Sequence, residues 1–121
     1  MEKFVLREKF SLFSDYWSPR IVGEINDQFI KLAKLKGEMV WHNHAGEDEF
    51  FHVIEGRLTL HFRDRSIVLD RGECIVVPMG VDHKPVAESE THVLLIERKS
   101  TLHTGTVQSD LTVAVEDQAW I

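Results

Sequence analysis

The chain is poor in cysteine and proline, with one and three of them in 121 residues. A single cysteine cannot form an internal disulfide, so the sequence predicts a chain kept in the cytoplasm rather than a disulfide-stabilised secreted protein. That residue, Cys74, lies in an apolar run. We expect it to be a small buried side chain.

Long apolar runs and basic runs are also missing. The longest apolar runs, 74–77 and 93–96, are far shorter than the roughly 20 residues that a membrane-spanning helix needs. Charges interrupt every apolar run in the first nine residues, which predicts neither a secretory signal nor a membrane anchor. The net charge of −6 would not attract nucleic acid or anionic lipid, so neither is expected as a partner.

The chain is rich in short stretches of β character separated by turn sequences. The stretch 28–35 fits a helix about as well as a strand, and its place between a turn and another strand favours a strand. The segment 10–17 is either one helical turn or an irregular lead-in. No repeat or linker divides the chain, so one domain over residues 1–121 is predicted, an all-β sandwich or small barrel. Strands are predicted at 20–25, 28–35, 38–44, 49–54, 57–62, 66–69, 74–77, 91–97 and 111–115.

Two histidines and a carboxylate in the middle of the chain have the spacing of metal ligands. His42 and His44 are two residues apart, and side chains two apart in a strand point to the same face. A turn at 45–46 would return the chain with Glu49 on that face. Two imidazole nitrogens and one carboxylate oxygen are donors that a divalent transition metal prefers. His83, which follows a strand and a bend, is the candidate for a further ligand.

Other carboxylates near these histidines are less well placed. Glu47 and Asp48 are rival ligands one or two residues from Glu49, which spacing and strand parity favour. No general acid or base can be assigned, and Glu47, Asp48 and Glu55 are candidates by location alone. The remaining histidines, at 52, 61, 92 and 103, are expected to pack, cap or face solvent.

The first motif runs from Gly37 through four residues to His42-x-His44, through four more to Glu49, and through six to Gly56. In this pattern the chain resembles the cupin family. The gap between Gly37 and the first histidine is one residue shorter than in the family.

A second cupin motif follows within residues 72–87. Gly72 is followed after five residues by Pro78-x-Gly80 and after two more by His83. The family then has an asparagine where this chain has Ala87, a position that does not bind metal in the family.

The resemblance implies the fold, the metal and the oligomeric state. The fold would be a double-stranded β-helix, the cupin jelly-roll barrel. A divalent transition metal, whether Mn, Fe, Co, Ni or Zn, would be held by His42, His44, Glu49 and His83. One or two coordination positions would stay open for a small-molecule ligand, and a homodimer is common in the family. Trp120 is hard to bury in a small barrel, so we expect it to pack against a partner subunit.

Three functions are compatible with such a site. We expect a metalloenzyme acting on a small polar metabolite, with sugar or keto-acid isomerase or epimerase chemistry. The first alternative is an Fe(II)-dependent dioxygenase. The second is a cupin that binds or senses a small ligand without converting it.

Overall fold

The computed structural model describes residues 1–100 and 118–121. The strand predicted at 111–115 and the role predicted for His103 lie outside these residues. Within them the elements are one short helix and seven strands. They are α1 (Leu6–Phe10), β1 (Arg20–Ile25), β2 (Gln28–Glu38), β3 (Glu49–Glu55), β4 (Arg57–Phe62), β5 (Ser66–Asp70), β6 (Cys74–Val77) and β7 (His83–Arg98).

The strands pair only in antiparallel fashion among the described residues, in the order β1-β2-β7-β3-β6, with β4 joining β7 to β5. The 16-residue β7 is what closes the sheet on itself. Its first half pairs with β4 and its second half with β3, while β2 runs alongside both halves. A strand that changes partner along its length curls the sheet around a core. The predicted all-β jelly-roll barrel is confirmed.

The barrel interior is filled by the alternate apolar residues of these strands. Leu58 and Leu60 of β4 are fully buried, as expected from the alternation of that strand. Phe51 and Val53 of β3 are buried in the same cluster, and Val40 packs against it. A smaller cluster lies on the outer face of the sheet, where Phe10, Phe13, Val22 and Leu32 pack together.

The strand predicted at 38–44 is wrong. β2 continues from 28 to Glu38, with a register shift against β7 between Leu35 and Gly37. Gly37 has a φ of +91°, a conformation that residues with a Cβ rarely adopt. The chain then leaves the sheet, and only His42 pairs again, through an isolated bridge to His83.

Two smaller expectations also need correction, and one open alternative is decided. Cys74 is exposed, because the edge strand β6 turns Val77 inward and strand alternation then turns Cys74 outward. The predicted strand 91–97 is the second half of the longer β7. Of the two alternatives for 10–17, the irregular lead-in is the one observed, and a helix precedes it at Leu6–Phe10. No helix in the described part of the chain is long and apolar enough to cross a bilayer.

Candidate metal centre

Four residues from three separate segments meet at one end of the barrel. His42 and His44 lie on the connection between β2 and β3, Glu49 is the first residue of β3 and His83 the first of β7. Three backbone hydrogen bonds join the connection to β7, from Met39 N to Pro85 O at 2.9 Å, from His42 N to His83 O at 3.0 Å and from His83 N to His42 O at 2.9 Å. Gly80 N also donates to His44 O at 2.8 Å. The histidine segment is therefore held by its backbone.

The side chains of these residues converge. One donor atom from each of His42, His44, Glu49 and His83 lies within 4.8 Å of all the others. Glu49 Oε1 is 3.4 Å from His44 Nε2 and 3.4 Å from His83 Nε2. All four residues are buried, and their exposed fractions are at most 6%. The structure thus brings together the four residues that the sequence predicted as ligands.

Hydrogen bonds to the backbone set the orientation of two of the rings. His42 Nδ1 lies 2.9 Å from Val40 O, and His83 Nδ1 lies 2.9 Å from Val81 O. A carbonyl oxygen can only accept, so the Nδ1 atoms carry the protons. In the neutral rings Nε2 is then the atom with the free lone pair, which is the arrangement that metal-binding histidines use.

Three of the converging atoms have no hydrogen-bond partner among the described residues: His44 Nε2, Glu49 Oε1 and His83 Nε2. Leaving a polar atom buried and unpaired costs roughly 1–3 kcal/mol. Three such atoms at one point suit a partner that accepts several lone pairs at once. Three imidazoles and one carboxylate are suited to a divalent transition metal, so the residues present fit a metal ion.

The pKa shifts of His42 and Glu49 agree with this, because a neutral imidazole and an ionised carboxylate are the forms that bind a metal. Burial lowers the pKa of His42 to about 4, and the neighbouring His83 adds to the effect, so the His42 ring is neutral near pH 7. Burial by itself would raise the pKa of Glu49, but its interactions with His44 and His83 outweigh burial and lower the pKa. Burial by itself would lower the pKa of His44, but the interaction with the Glu49 carboxylate outweighs burial and raises the pKa.

The rival carboxylates do not join the cluster in the described structure. Asp48 is exposed and its Oδ1 accepts a hydrogen bond from Met79 N at 2.9 Å. Glu55 is exposed at the opposite end of β3, where it lies 3.7 Å from Arg71. Glu47 is half-buried beside the site and, like the others, is not one of the four converging residues.

The other described histidines also lie outside the cluster. His61 Nδ1 is 2.6 Å from Ser66 Oγ. His92 Nε2 is 2.8 Å from Glu90 Oε2, and its ring stacks on Phe10 with a centroid distance of 4.6 Å. These contacts agree with the packing and surface roles expected from the sequence.

A narrow cavity of about 30 Å³ adjoins the site, enough for a water molecule. Trp17 forms part of its wall and is held there by hydrogen bonds from its backbone N to Lys34 O and from Nε1 to Lys36 O, both 2.9 Å. Of the described lining residues, only His42 and Glu49 are polar. The apolar ones are Trp17, Pro19, Ala33, Leu35, Met39, Phe51, Pro85, Val93 and Leu95.

Sequence reasoning missed the part of this wall that comes from the N-terminal segment, because no local pattern tells where an irregular segment packs. It also missed two fully buried charged residues, Lys31 and Glu97. The strand parity in the sequence could have identified both residues. Lys31 has the same strand parity as Ala33, and Glu97 the same parity as Leu95, so both charges fall on the inward face.

Comparisons with known proteins agree with the fold. Residues 29–97 match the family model described as the cupin domain. The protein YdbB of Bacillus subtilis is 34% identical over 95 residues, which are 78% of each chain.

Two solved structures have the same fold at appreciable identity. A cupin-2 domain containing protein from Shewanella frigidimarina is 49% identical, with a TM-score of 0.78 over 78% of this chain and 93% of that one. Protein NMB1881 from Neisseria meningitidis is 32% identical, with a TM-score of 0.74 over 80% of this chain and 99% of that one. With its jelly-roll barrel and its cluster of three histidines and a glutamate, the chain belongs to the cupin family.

Proposed function

We propose that the protein binds a divalent transition metal through His42, His44, Glu49 and His83 and uses it to act on a small molecule. The observation that carries this proposal is the convergence of four buried donor atoms, three of them without a hydrogen-bond partner among the described residues. A metal in such a centre, when bound, polarises an oxygen atom of its ligand. The four residues leave one or two coordination positions for that oxygen.

The chain itself supplies the surroundings in which the small molecule is held. The cavity beside His42 and Glu49 is apolar on every other described side. The indole N–H of Trp17 already donates a hydrogen bond to Lys36 O, so it is not available to a ligand. A ligand hydroxyl group placed there would lose its hydrogen bonds to water without replacement, at roughly 1–3 kcal/mol for each group. The cavity has a volume of about 30 Å³ and so takes only one end of a ligand. At that end it favours an oxygen-donor group next to an apolar group over the several hydroxyl groups of a sugar.

Among the expected functions, the lining favours chemistry on a carboxylate, keto or phenolic compound. Keto-acid isomerisation and the Fe(II)-dependent dioxygenase alternative both have substrates of this kind. Sugar isomerisation stays a prediction that the lining supports less well. A ligand-sensing cupin would use the same cavity without turnover.

The test begins with metal-free wild-type protein, prepared by dialysis against a chelator. We expect Mn, Fe, Co, Ni or Zn to raise the melting temperature, with about one equivalent bound per chain. Three carboxylates that differ in the rest of the molecule, benzoate, pyruvate and glucuronate, are then titrated by calorimetry into the metal-loaded and metal-free forms. We expect benzoate or pyruvate to bind more tightly than glucuronate, and only with metal present.

The outcomes separate the functions. Absence of metal binding and of any thermal shift would refute the metal centre. Metal-dependent binding and conversion of glucuronate would favour the sugar isomerase. Tight binding of a carboxylate without conversion of any compound in the panel would favour sensing.

A homodimer is the assembly we propose for the chain. Trp120 is 53% exposed and contacts Phe29 with its ring edge at a centroid distance of 5.6 Å, which leaves an apolar patch uncovered in the described structure. Analytical ultracentrifugation of the wild type and of Trp120→Ser tests this. A monomeric wild type at micromolar concentration would contradict it.

A further inference from the structure

The segment before β1 places a tryptophan in the wall of the cavity beside the candidate metal centre. Trp17 is 7% exposed and lines the same cavity as His42 and Glu49. Among the described lining residues, only Trp17 and Pro19 come from the segment before β1. This side of the cavity is therefore closed by the lead-in segment and not by the strands of the barrel.

The backbone of Trp17 has an unusual conformation. Its φ is +57°, in the left-handed region, where the Cβ of an L-residue crowds the backbone. Among the described residues other than glycine, only Asn26 also has a positive φ, and asparagine adopts this conformation more readily than a bulky residue does. Strained residues persist only where the surrounding structure enforces them, and they cluster at ligand-binding and active sites. The strain at Trp17 therefore calls for a functional reason.

Two hydrogen bonds to β2 enforce this conformation. β1 pairs with β2 only as far as Leu32, and beyond this point carbonyl groups of β2 accept hydrogen bonds from Trp17. The backbone N donates to Lys34 O and Nε1 donates to Lys36 O, both at 2.9 Å. The two bonds hold both the backbone and the indole ring of Trp17 at the edge of β2.

The residues on both sides of Trp17 are held by Arg20. Its Nη2 donates to Asp15 Oδ1 at 2.7 Å, and its Nη1 donates to Ser18 O and to Ser18 Oγ, both at 2.8 Å. Its guanidinium carbon also lies 4.8 Å from the centre of the Phe13 ring. These contacts fix the lead-in segment before and after Trp17, which keeps the indole ring in the cavity wall.

The position of the ring decides how much room is left beside the metal centre. With Trp17 in place the cavity has a volume of about 30 Å³, enough for one water molecule or for a methyl group, which is of similar size. His42 and Glu49 line this cavity, so it is the space next to the proposed metal.

We propose that Trp17 determines the size of the ligand. Its indole ring closes the cavity, so that the group next to the oxygen donor can be no larger than about a methyl group. This selects short-chain carboxylates and oxo acids, such as acetate and pyruvate, over aromatic ones. The inference rests on the proposed metal centre and narrows the class of small molecule proposed for it.

The experiment measures how the Co²⁺-loaded wild type binds three carboxylates of increasing size, namely acetate, butyrate and benzoate. The visible absorption spectrum of Co²⁺ reports a carboxylate that binds to the metal, even at low affinity. A single methylene group that fits or does not fit an apolar pocket changes affinity roughly 10–200-fold. We therefore expect the wild type to bind acetate at least about tenfold more tightly than benzoate.

Trp17→Gly removes the ring, and glycine adopts a positive φ without strain. We expect the ratio of benzoate affinity to acetate affinity to rise at least about tenfold in this variant. The affinity for Co²⁺ itself should be nearly unchanged, because Trp17 is not one of the four converging residues.

Tyr16→Ala is the matched control, since it removes the neighbouring aromatic ring of the same segment. Tyr16 is 38% exposed, donates a hydrogen bond to Glu90 Oε1 at 2.7 Å and is not among the residues that line the cavity. We expect this variant to keep the wild-type preference for acetate.

Free indole provides a rescue of Trp17→Gly. We expect saturating indole to fill the space that the missing ring leaves, to raise the melting temperature of this variant and to restore its preference for acetate. The wild type and Tyr16→Ala should not respond to indole. The restored preference is the readout that a purely structural role of Trp17 would not change.

The outcomes separate this inference from the proposed function. A wild type that binds no Co²⁺ would refute both. A wild type that binds Co²⁺ but does not prefer acetate to benzoate would overturn the inference alone, as would Trp17→Gly with the wild-type preference. An equal change of preference in Tyr16→Ala would also overturn it, because loosening of the segment and not loss of the ring would then be the cause. So would indole that leaves the preference of Trp17→Gly unchanged.

A crystal structure of the Zn²⁺-loaded wild type with acetate provides a test that needs no variant to fold. We expect the methyl group of acetate in van der Waals contact with the Trp17 ring. A methyl group that points away from Trp17 would overturn the proposal.

Discussion

Replacing His83 with alanine is the sharpest single test of the metal centre. His83 is fully buried, its Nδ1 is 2.9 Å from Val81 O, and its Nε2 is 3.4 Å from Glu49 Oε1. The substitution removes a proposed ligand and leaves the backbone bridge to His42 in place. We therefore expect the affinity for Zn²⁺ to fall by at least about 100-fold, the upper end of what loss of a ligand's supporting residue costs.

The same substitution has a smaller effect on the metal-free protein. It leaves a cavity and an unsatisfied Val81 carbonyl, so we expect a loss of about 1–3 kcal/mol in the free energy of unfolding. For a domain of this size that corresponds to a fall in melting temperature of roughly 4 °C per kcal/mol. Denaturant unfolding of the metal-free protein measures this contribution separately from metal affinity.

His61→Ala is the matched control. His61 is half-exposed and its described hydrogen bond is with Ser66 Oγ, 2.6 Å away. We expect its Zn²⁺ affinity to equal that of the wild type and its stability to change by less than about 1 kcal/mol. Equal loss of metal affinity in His61→Ala and His83→Ala would refute the assignment of the centre.

Three further predictions concern other parts of the chain. The pKa of His42 is lowered from 6.5 to about 4 in the folded chain. Between these two pH values His42 is therefore protonated in the unfolded chain and neutral in the folded chain. The stability of the metal-free protein should therefore fall as the pH drops from about 6.5 towards 4, by at most about 3 kcal/mol from this residue. His42→Gln should lose that part of the pH dependence in urea titrations, and an unchanged slope would contradict the reasoning. Gly56→Ala should destabilise by about 2–4 kcal/mol, since φ is +88° and a Cβ would lie 2.7 Å from Thr91 Oγ1. Gly46→Ala, where a Cβ would meet no described atom within 4 Å, should be nearly neutral in the same unfolding assay. Cys74 is exposed and should react with a thiol reagent in the native protein to one equivalent; labelling only after denaturation would count against the outward orientation of β6.

The residues of the metal centre could be named from the sequence, but the reason for their convergence was different from the one expected. Alternation along a regular strand predicted that His42 and His44 share a face. The structure has no regular strand there, and it holds the segment by the bridge from His42 to His83 and by the hydrogen bond from Gly80 to His44. The predicted donor residues are nevertheless correct, because turns and backbone hydrogen bonds bring the two histidines together as well as a regular strand would.

Strand positions were predictable where turn sequences or proline bound the strand. Strands β1, β4 and β6 begin and end where the sequence predicted them, because such residues lie on both sides of each. The prediction failed where two strands merge: β7 runs through 83–98 although residues 88–90 are exposed in its middle. Exposed residues look like a loop in the sequence, and here they form the register shift between the pairs Leu35–Thr91 and Gly37–Ala87, which a local pattern does not reveal.

The sequence by itself determined the all-β character, the cupin motifs and the donor atoms of the centre, because side-chain alternation and ligand spacing are local properties. The tertiary structure decided what surrounds those donors. Trp17 reaches the cavity wall from outside the motifs, and Lys31 and Glu97 come within 3.6 Å of each other only through the register of β2 and β7. Register and the packing of irregular segments depend on contacts between residues far apart in the chain, which a local pattern does not contain.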